Sequence, residues 1–211
     1  LKPSYSATIG KLWLERGGAY AVANIRGGGE FGPRWHKAAL KTNRQRAYDD
    51  FIAVAEDLTK RGITSPKRLG ISGGSNGGLL VGAIFTQRPD LMNAVVCRVP
   101  LLDMMRYTKL LAGASWAAEY GDPGDPKMRA ALLKYSPYQN MFPGRKYPKV
   151  FIETSTKDDR VHPGHARKMV ARMREQGHPV LYFENTEGGH AAGANLKQHA
   201  RRYALEYVYF S

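Results

Sequence analysis

A chain of 211 residues, 43% of them hydrophobic, can form one domain with a substantial core, and no apolar run approaches the roughly 18 residues of a membrane-spanning helix. It begins Leu1-Lys2-Pro3, without a methionine and without a charged and then apolar leader, so we expect an N-terminally truncated fragment. We expect no membrane partner, and the sequence does not distinguish a cytoplasmic from a periplasmic location. The formal net charge of +14 raises a nucleic-acid hypothesis, but the basic residues of 34–46 and 160–174 alternate with apolar positions on predicted helices, which indicates solvated helix faces and no nucleic-acid partner.

Predicted helices and strands alternate along the chain. Apolar, β-branched or aromatic runs predict buried strands at 19–23, 68–72, 94–99, 149–153 and 180–183. Helical patterns lie before and between them, at 5–16, 47–61, 79–87, 163–176 and 195–209. Gly62 and Gly177 follow two of these patterns and suit helix ends. The order predicts the α/β class, with a mostly parallel sheet flanked by helices.

A glycine-rich segment follows the first predicted strand. Residues 27–32 read Gly-Gly-Gly-Glu-Phe-Gly and match the G-x-G-x-x-G pattern of dinucleotide-binding folds. In such a fold the phosphate-binding helix begins within the glycines, whereas here Glu30 would face the phosphates and Pro33 follows only afterwards. A dinucleotide-binding domain is therefore kept as an alternative, while a turn with close backbone passage is favoured, and we expect no cofactor.

Residues 73–78 read Gly-Gly-Ser-Asn-Gly-Gly and lie between a predicted strand and a predicted helix. A serine raised above the carboxyl end of a strand needs a very tight turn, and the glycines at 73 and 77 supply it. Ser75 would then lie near the helix N-terminus, where the amide of Asn76 can stabilise an oxyanion. The segment predicts a catalytic serine, although a glycine-rich loop with an incidental serine is the plainer interpretation.

The segment from 102 to 147 differs from the rest of the chain. It is rich in proline, glycine and aromatic residues and shows only short helical pieces. We interpret it as an excursion at the carboxyl edge of the sheet, where substrate-binding insertions commonly lie. Cys97, just before it, is the one cysteine and falls in an apolar run, which excludes an internal disulfide and indicates a buried thiol.

Candidates for the acid of a catalytic triad lie after two predicted strands. In α/β-hydrolases the chain order is serine, acid and histidine, so the acid should follow a strand downstream of Ser75. Asp158 comes shortly after the strand at 149–153 and could hold an imidazole in the productive tautomer. Asp159 beside it, and Asp103 after the preceding strand, are alternatives.

The histidine of such a triad should follow the last strand. His190 has that position and is the expected general base. His162 is the main alternative, but it lies too close to Asp158 in sequence to be oriented by that carboxylate while facing Ser75. His162 and His165 are three residues apart without a third ligand at a recognisable spacing, so we expect no metal.

Taken together, the motifs resemble the C-terminal part of the catalytic domain of the prolyl oligopeptidase family of serine peptidases. The segments that carry the resemblance cover nearly the whole chain in order. They are 23–32, 64–69, 73–78 with 87–91, 116–121, 134–137, 158–161 and 189–190. The resemblance implies an α/β-hydrolase fold, here a single partial catalytic domain over 1–211, and a serine hydrolase that cuts short peptides after proline.

The resemblance also implies roles for individual residues. Ser75, Asp158 and His190 correspond to the family's triad, and the Asn76 amide to one half of its oxyanion hole. The remaining matched positions are substrate-binding in the family: Trp116 would stack on the proline ring, Arg160 would hold a substrate carbonyl, and Tyr120, Leu101 and Val161 would surround the ring. Ordinary packing is the alternative for Trp116 and Tyr120, and a local ion pair is the alternative for Arg160.

Departures from the family pattern lead to further expectations. The tyrosine that supplies the second oxyanion donor, the propeller domain and the N-terminal strands would precede Leu1, so the domain would lack a strand between 19–23 and 68–72. We therefore expect a homodimer formed through the incomplete sheet, or low stability. With one oxyanion donor, hydrolysis of small activated esters is an alternative activity. A non-catalytic binding or assembly domain is the alternative from another class.

Overall fold

The core of the fold is a parallel sheet. The computed structural model describes residues 4–191 and 193–211, and its strands are paired in the order in which they occur in the chain. The strands are β1 (Gly70–Gly74), β2 (Ala94–Arg98), β3 (Lys149–Ser155) and β4 (Val180–Asn185). All three pairings are parallel, and the register joins Gly74 to Arg98 and Arg98 to Glu153. The carboxyl ends of the strands therefore form one edge of the sheet.

Helices connect and cover the strands. They are α1 (Ala7–Leu12), α2 (Pro33–Lys37), α3 (Gln45–Lys60), α4 (Asn76–Gln87), α5 (Ala117–Tyr120), α6 (Pro126–Tyr135), α7 (Gly164–Glu175) and α8 (Leu196–Phe210). Short 3-10 turns lie at Leu14–Arg16, Lys41–Asn43, Tyr107–Lys109 and Leu111–Trp116. The predicted α/β class with a parallel sheet flanked by helices is confirmed.

Local sequence signals explain several helix ends. The Asn195 side chain accepts the Gln198 N–H at 3.0 Å at the start of α8, and Asp125 caps α6 in the same way. Gly62 and Gly177 follow α3 and α7 with φ of 70° and 74°, the left-handed conformation that glycine adopts without a steric penalty. Both predicted glycine stops are therefore confirmed.

The predicted strand at 19–23 is wrong. The segment has no regular secondary structure, and its apolar side chains face solvent, with Tyr20 51% and Val22 53% exposed. A strand needs a neighbour to pair its backbone groups, and the sheet of the described residues ends at β1 without reaching this segment. An apolar run alone therefore did not suffice to place a strand here.

The core lies on both sides of the sheet. Val95 and Cys97 of β2 and Val150 of β3 are fully buried, as strands covered on both faces require. The central helix α4 is apolar on nearly all sides, and seven of its residues from Leu79 to Thr86 are buried. None of the helices in the described part of the chain is both long and apolar enough to cross a membrane.

Two buried glutamates and two half-buried arginines lie between the sheet and α8. Arg98 Nε of β2 lies 2.9 Å from the Glu206 carboxylate, and Arg202 Nη1 lies 3.2 Å from the Glu153 carboxylate of β3. Burial raises the pKa of Glu153, and the neighbouring Glu206 carboxylate acts in the same direction. The two arginines and two glutamates balance in charge, which is how such groups are accommodated away from water.

Candidate active site

Ser75 occupies the turn between β1 and α4. Its backbone has φ of 57° and ψ of −114°, a conformation that is costly for a residue with a side chain. The Ser75 N–H donates to the Arg98 carbonyl at 2.9 Å, and the Ser75 carbonyl accepts the Leu79 N–H at 3.1 Å. The surrounding backbone therefore holds the strained turn, and the serine stands at the carboxyl edge of the sheet.

The glycines around Ser75 are not equally constrained. A Cβ added to Gly73 would lie 2.2 Å from the Gly77 carbonyl oxygen, and one added to Gly78 would lie 2.6 Å from Pro100 Cβ. At Gly77 an added Cβ meets no atom within 4 Å. Close approach of backbone to backbone therefore requires glycine at 73, while in the described structure neither crowding nor a positive φ requires glycine at 77.

Asp158 and His190 lie in contact. The two carboxylate oxygens of Asp158 are 2.9 and 3.0 Å from His190 Nδ1. An ionised carboxylate can only accept, so Nδ1 carries the proton and Nε2 is left as an acceptor. Asp158 follows β3 and His190 follows β4, which brings both to the edge of the sheet where Ser75 stands. The structure thus joins two of the three predicted triad residues directly and puts the third at the same edge, at the end of β1.

The surroundings of Asp158 favour its ionised form. Its Oδ1 also accepts the backbone N–H groups of Arg160 and Val161, each at 2.9 Å. Burial alone would raise the pKa of the Asp158 carboxyl, but the hydrogen bonds from His190 and from these two amides lower it on balance. A carboxylate fixed in this way can orient the imidazole and stabilise its protonated form.

The alternative triad residues have other partners. Asp103 is fully buried, accepts a hydrogen bond from Gln139 at 2.9 Å and forms ion pairs with Arg106 and Lys168. Asp159 is exposed beside the buried Asp158. His162 Nδ1 accepts the Gly164 N–H at 2.9 Å at the start of α7. None of these contacts involves His190 or the serine turn. The geometry therefore favours Asp158 as the acid and His190 as the base.

The predicted pocket residues differ in burial. Tyr120, Leu101 and Val161 are buried, and Trp116 is half-buried against the core. The Arg160 side chain is exposed and forms no ion pair with any residue of 4–191 or 193–211. The local ion pair considered for Arg160 is therefore absent from this part of the chain, and its guanidinium faces solvent.

Arg44 is a site residue that the sequence did not reveal. It is 4% exposed, although it belongs to the basic stretch 34–46 that we predicted to be solvated, and that prediction is wrong at this position. Its guanidinium donates to Asn76 Oδ1 at 2.6 Å and forms an ion pair with Glu119. Burial alone would lower the pKa of Arg44, but its neighbours Tyr48, Tyr120 and the Glu119 carboxylate raise it on balance, so the group stays charged. An arginine in a basic run carries no sequence signal for burial.

The glycine-rich segment 27–32 forms turns. Gly32 N–H donates to the Gly29 carbonyl at 3.1 Å, and Gly27 adopts a left-handed φ of 96° with its N–H donating to the Trp35 carbonyl at 3.0 Å. The helix that follows, α2, begins at Pro33 after the glycines and has five residues. This geometry does not match a phosphate-binding helix that begins inside the glycine run, so it favours the turn interpretation.

In the described ranges, no three His, Cys, Asp or Glu side chains lie close enough together to hold a metal ion.

The parallel sheet, with a serine at the strained turn between a strand and the following helix, defines the class of protein as an α/β-hydrolase. Within that class the chain belongs to the prolyl oligopeptidase family, whose model matches residues 3–211. The resemblance inferred from the motifs is thereby confirmed.

Individual relatives support this assignment. The chain is 66% identical over 209 residues to the uncharacterized peptidase y4nA of Sinorhizobium fredii (strain NBRC 101917 / NGR234) and 46% identical over 202 residues to a prolyl endopeptidase of Elizabethkingia miricola. These alignments cover 99% and 94% of the chain but only 29% and 28% of the two relatives. The structure of a post-proline cleaving enzyme from Rickettsia typhi matches with a TM-score of 0.95 and 46% identity, over 99% of this chain and 30% of that one.

Proposed function

We propose that the protein is a serine peptidase that cleaves short peptides after proline through a triad of Ser75, Asp158 and His190. The observation that carries the proposal is the hydrogen-bonded pair of Asp158 and His190 at the same edge of the sheet as the strained Ser75 turn. Relatives that match nearly the whole chain are prolyl endopeptidases, which agrees with this substrate class.

The proposed reaction is acyl transfer. Ser75 Oγ attacks the carbonyl carbon of the proline residue while His190 Nε2 takes the hydroxyl proton. The resulting oxyanion is stabilised by the backbone N–H of Asn76, which is the first residue of α4 and has no intrahelical acceptor. The imidazolium then returns the proton to the leaving amine, and an activated water hydrolyses the acyl-enzyme through the reverse sequence.

Proline selection is assigned to the excursion between β2 and β3, together with the loop that follows β3. Trp116 would stack on the flat face of the proline ring, while Tyr120, Leu101 and Val161 would surround it. The exposed guanidinium of Arg160 would hold a carbonyl of the bound peptide. These five assignments follow from the motif positions, and the burial of Tyr120, Leu101 and Val161 agrees with an apolar pocket wall.

Small activated esters are a second class of substrate. Among the described residues one backbone donor, the Asn76 amide, is available for the oxyanion, and losing one donor typically costs about 10²- to 10³-fold in kcat. A good leaving group needs less of this stabilisation, so ester hydrolysis should exceed amide cleavage in the chain taken alone.

The function is tested with a fluorophosphonate label, a proline p-nitrophenyl ester and a proline anilide. The purified protein should be labelled at Ser75 and hydrolyse the ester, and Ser75→Ala should abolish both. Labelling at another residue, or hydrolysis that survives Ser75→Ala, would reject the mechanism. Absence of labelling in the folded protein would instead support a non-catalytic binding domain.

A further inference from the structure

The strongest unassigned feature of the molecule is the buried side chain of Arg44. It follows the 3-10 turn Lys41–Asn43, and its guanidinium contacts two elements of the proposed site at once. One nitrogen, Nη2, donates to Asn76 Oδ1 at 2.6 Å, and the other, Nη1, pairs with the Glu119 carboxylate of α5. The guanidinium carbon also lies 5.0 Å from the centre of the Tyr120 ring.

The Asn76 side chain is held from two sides. Its Oδ1 accepts a second hydrogen bond from the Tyr120 hydroxyl at 2.7 Å. Asn76 directly follows the proposed nucleophile, and its backbone N–H is the proposed oxyanion donor. A fixed side chain restricts the rotation of the peptide unit to which it is attached, so Arg44 and Tyr120 together restrict the orientation of that donor.

Helix α5 depends on such contacts for its position. It has four residues, a single turn, which is too short to be stable without tertiary anchors. Its carboxyl end is anchored by the Tyr107 hydroxyl, which donates to the Gly121 carbonyl at 2.7 Å. The Arg44 pair with Glu119 is a second anchor, and it lies between Trp116 and Tyr120, the two aromatic residues proposed to bind proline.

Stability alone does not account for a buried arginine at this place. Replacing buried ion pairs by apolar residues of similar volume is often neutral or stabilising. A planar guanidinium, in contrast, can hold two acceptors in a fixed relation, which an ammonium or an apolar group cannot do. The arrangement is therefore suited to setting the distance between two parts of a site.

We propose that Arg44 is a positioning residue that determines specificity, because it ties the residue after the nucleophile to the helical turn that carries the aromatic proline pocket. This inference rests on the proposed function above. Without Arg44, α5 would be free to shift relative to Asn76, and the pocket would no longer hold the proline ring in register with Ser75. Selection for proline should then fall more than the general reactivity of the serine.

The test compares p-nitrophenyl esters of proline and alanine peptides in four forms of the purified protein. The variants are Arg44→Met, which keeps the length and apolar stem, Arg44→Lys, which keeps the charge, and Arg46→Met, an exposed control two residues away. Folding of each is checked by circular dichroism and thermal unfolding, and Ser75 reactivity by the rate of fluorophosphonate labelling.

We expect Arg44→Met to lower the ratio of kcat/KM for proline over alanine by about tenfold or more, the scale on which pocket contacts discriminate. Most of the loss should appear in KM for the proline substrate, with labelling of Ser75 reduced less. Arg44→Lys should give an intermediate ratio, because an ammonium lacks the rigid planar fork that fixes Glu119 and Asn76 relative to each other. Arg46→Met should match the wild type.

A folded Arg44→Met variant with an unchanged ratio, or with equal losses on both esters, would overturn the proposal. Should that variant fail to fold, Glu119→Gln takes its place, because it removes the charge of the Arg44 partner on α5, which also lies 3.5 Å from His36 Nε2. An unchanged ratio in folded Glu119→Gln overturns the proposal as well. Failure of the proposed function would appear differently, as absence of Ser75 labelling in both the wild type and Arg46→Met.

Discussion

At the scale of single residues, the serine turn is set by backbone crowding. The residues on either side of Ser75 approach each other so closely that only glycine fits at 73. This close packing holds Ser75 at its strained positive φ. The motif G-x-S-x-G suggests equal importance for its two outer glycines. In the structure the two glycines differ, since a Cβ added at Gly73 would clash and one added at Gly77 would meet open space.

We predict that Gly73→Ala abolishes the activity, while Gly77→Ala keeps it. The new methyl at 73 would lie 2.2 Å from a main-chain oxygen, so the turn must open and Ser75 must move. At 77 the methyl has room, and alanine is the better helix former by roughly 1 kcal/mol. Fluorophosphonate labelling and thermal unfolding of both variants check this. Equal labelling of the two would contradict the role given to Gly73.

We predict that Asp158→Asn lowers kcat by about 10³- to 10⁴-fold, because an amide at this position favours the wrong tautomer of His190. Asp159→Asn is the matched control, since Asp159 is the adjacent and exposed carboxylate. Ester hydrolysis is measured for both variants under the same conditions. A large loss in Asp159→Asn with activity retained in Asp158→Asn would reverse the assignment of the acid.

At the scale of elements, helix α7 fixes the loop that leaves β2. His165, on the first turn of α7, is 1% exposed, and its Nδ1 accepts the backbone N–H groups of Leu102 and Asp103 at 3.3 and 3.1 Å. Leu101, proposed to line the pocket, belongs to the same loop. Burial lowers the pKa of His165 to about 4, although the nearby Asp103 carboxylate opposes the shift.

This arrangement predicts a pH dependence of stability. His165 is neutral in the folded protein, while in the unfolded chain it takes a proton below its ordinary pKa of about 6.5. Its contribution is therefore complete above pH 6.5 and is lost as the pH falls towards 4, by up to about 3 kcal/mol. His165→Asn keeps an acceptor and does not titrate, so its free energy of unfolding should fall less over this range. Parallel pH profiles of the two proteins would contradict this explanation.

The strands that sequence reasoning located correctly are those set by local pattern, since β2, β3 and β4 appear as apolar runs. The order serine, acid, histidine selected Asp158 and His190, which lie in hydrogen-bond contact, and their catalytic role stays a prediction. The strand expected at 19–23 failed because strand formation depends on a neighbour. The burial of Arg44 was missed because its partners lie 32 and 75 residues away in sequence and are brought together only by the fold.

At the scale of the whole molecule, the sheet is open at β1. In the described part of the chain this strand is paired on one side only, with β2, and the apolar segment 19–23 lies exposed. Unpaired strand edges and exposed apolar residues favour association between chains. The open edge and the exposed segment therefore offer a surface for self-association.

We therefore predict that the chain taken alone forms a dimer at micromolar concentrations, measured by sedimentation velocity. Replacing the exposed Tyr20 and Val22 by lysine should weaken it, because charged side chains discourage edge pairing. A wild-type chain that sediments as a monomer at every concentration would refute the prediction.

The ion pair between Arg98 and Glu206 connects helix α8 to the reaction centre. The Ser75 amide hydrogen bonds to the carbonyl of Arg98, whose guanidinium is neutralised by Glu206 on α8. Loss of the Glu206 carboxylate would leave the half-buried Arg98 with Glu153, 3.9 Å away, as its remaining acidic partner. A substitution at Glu206 would thus act on the serine turn through Arg98, far from the groups proposed to contact the substrate.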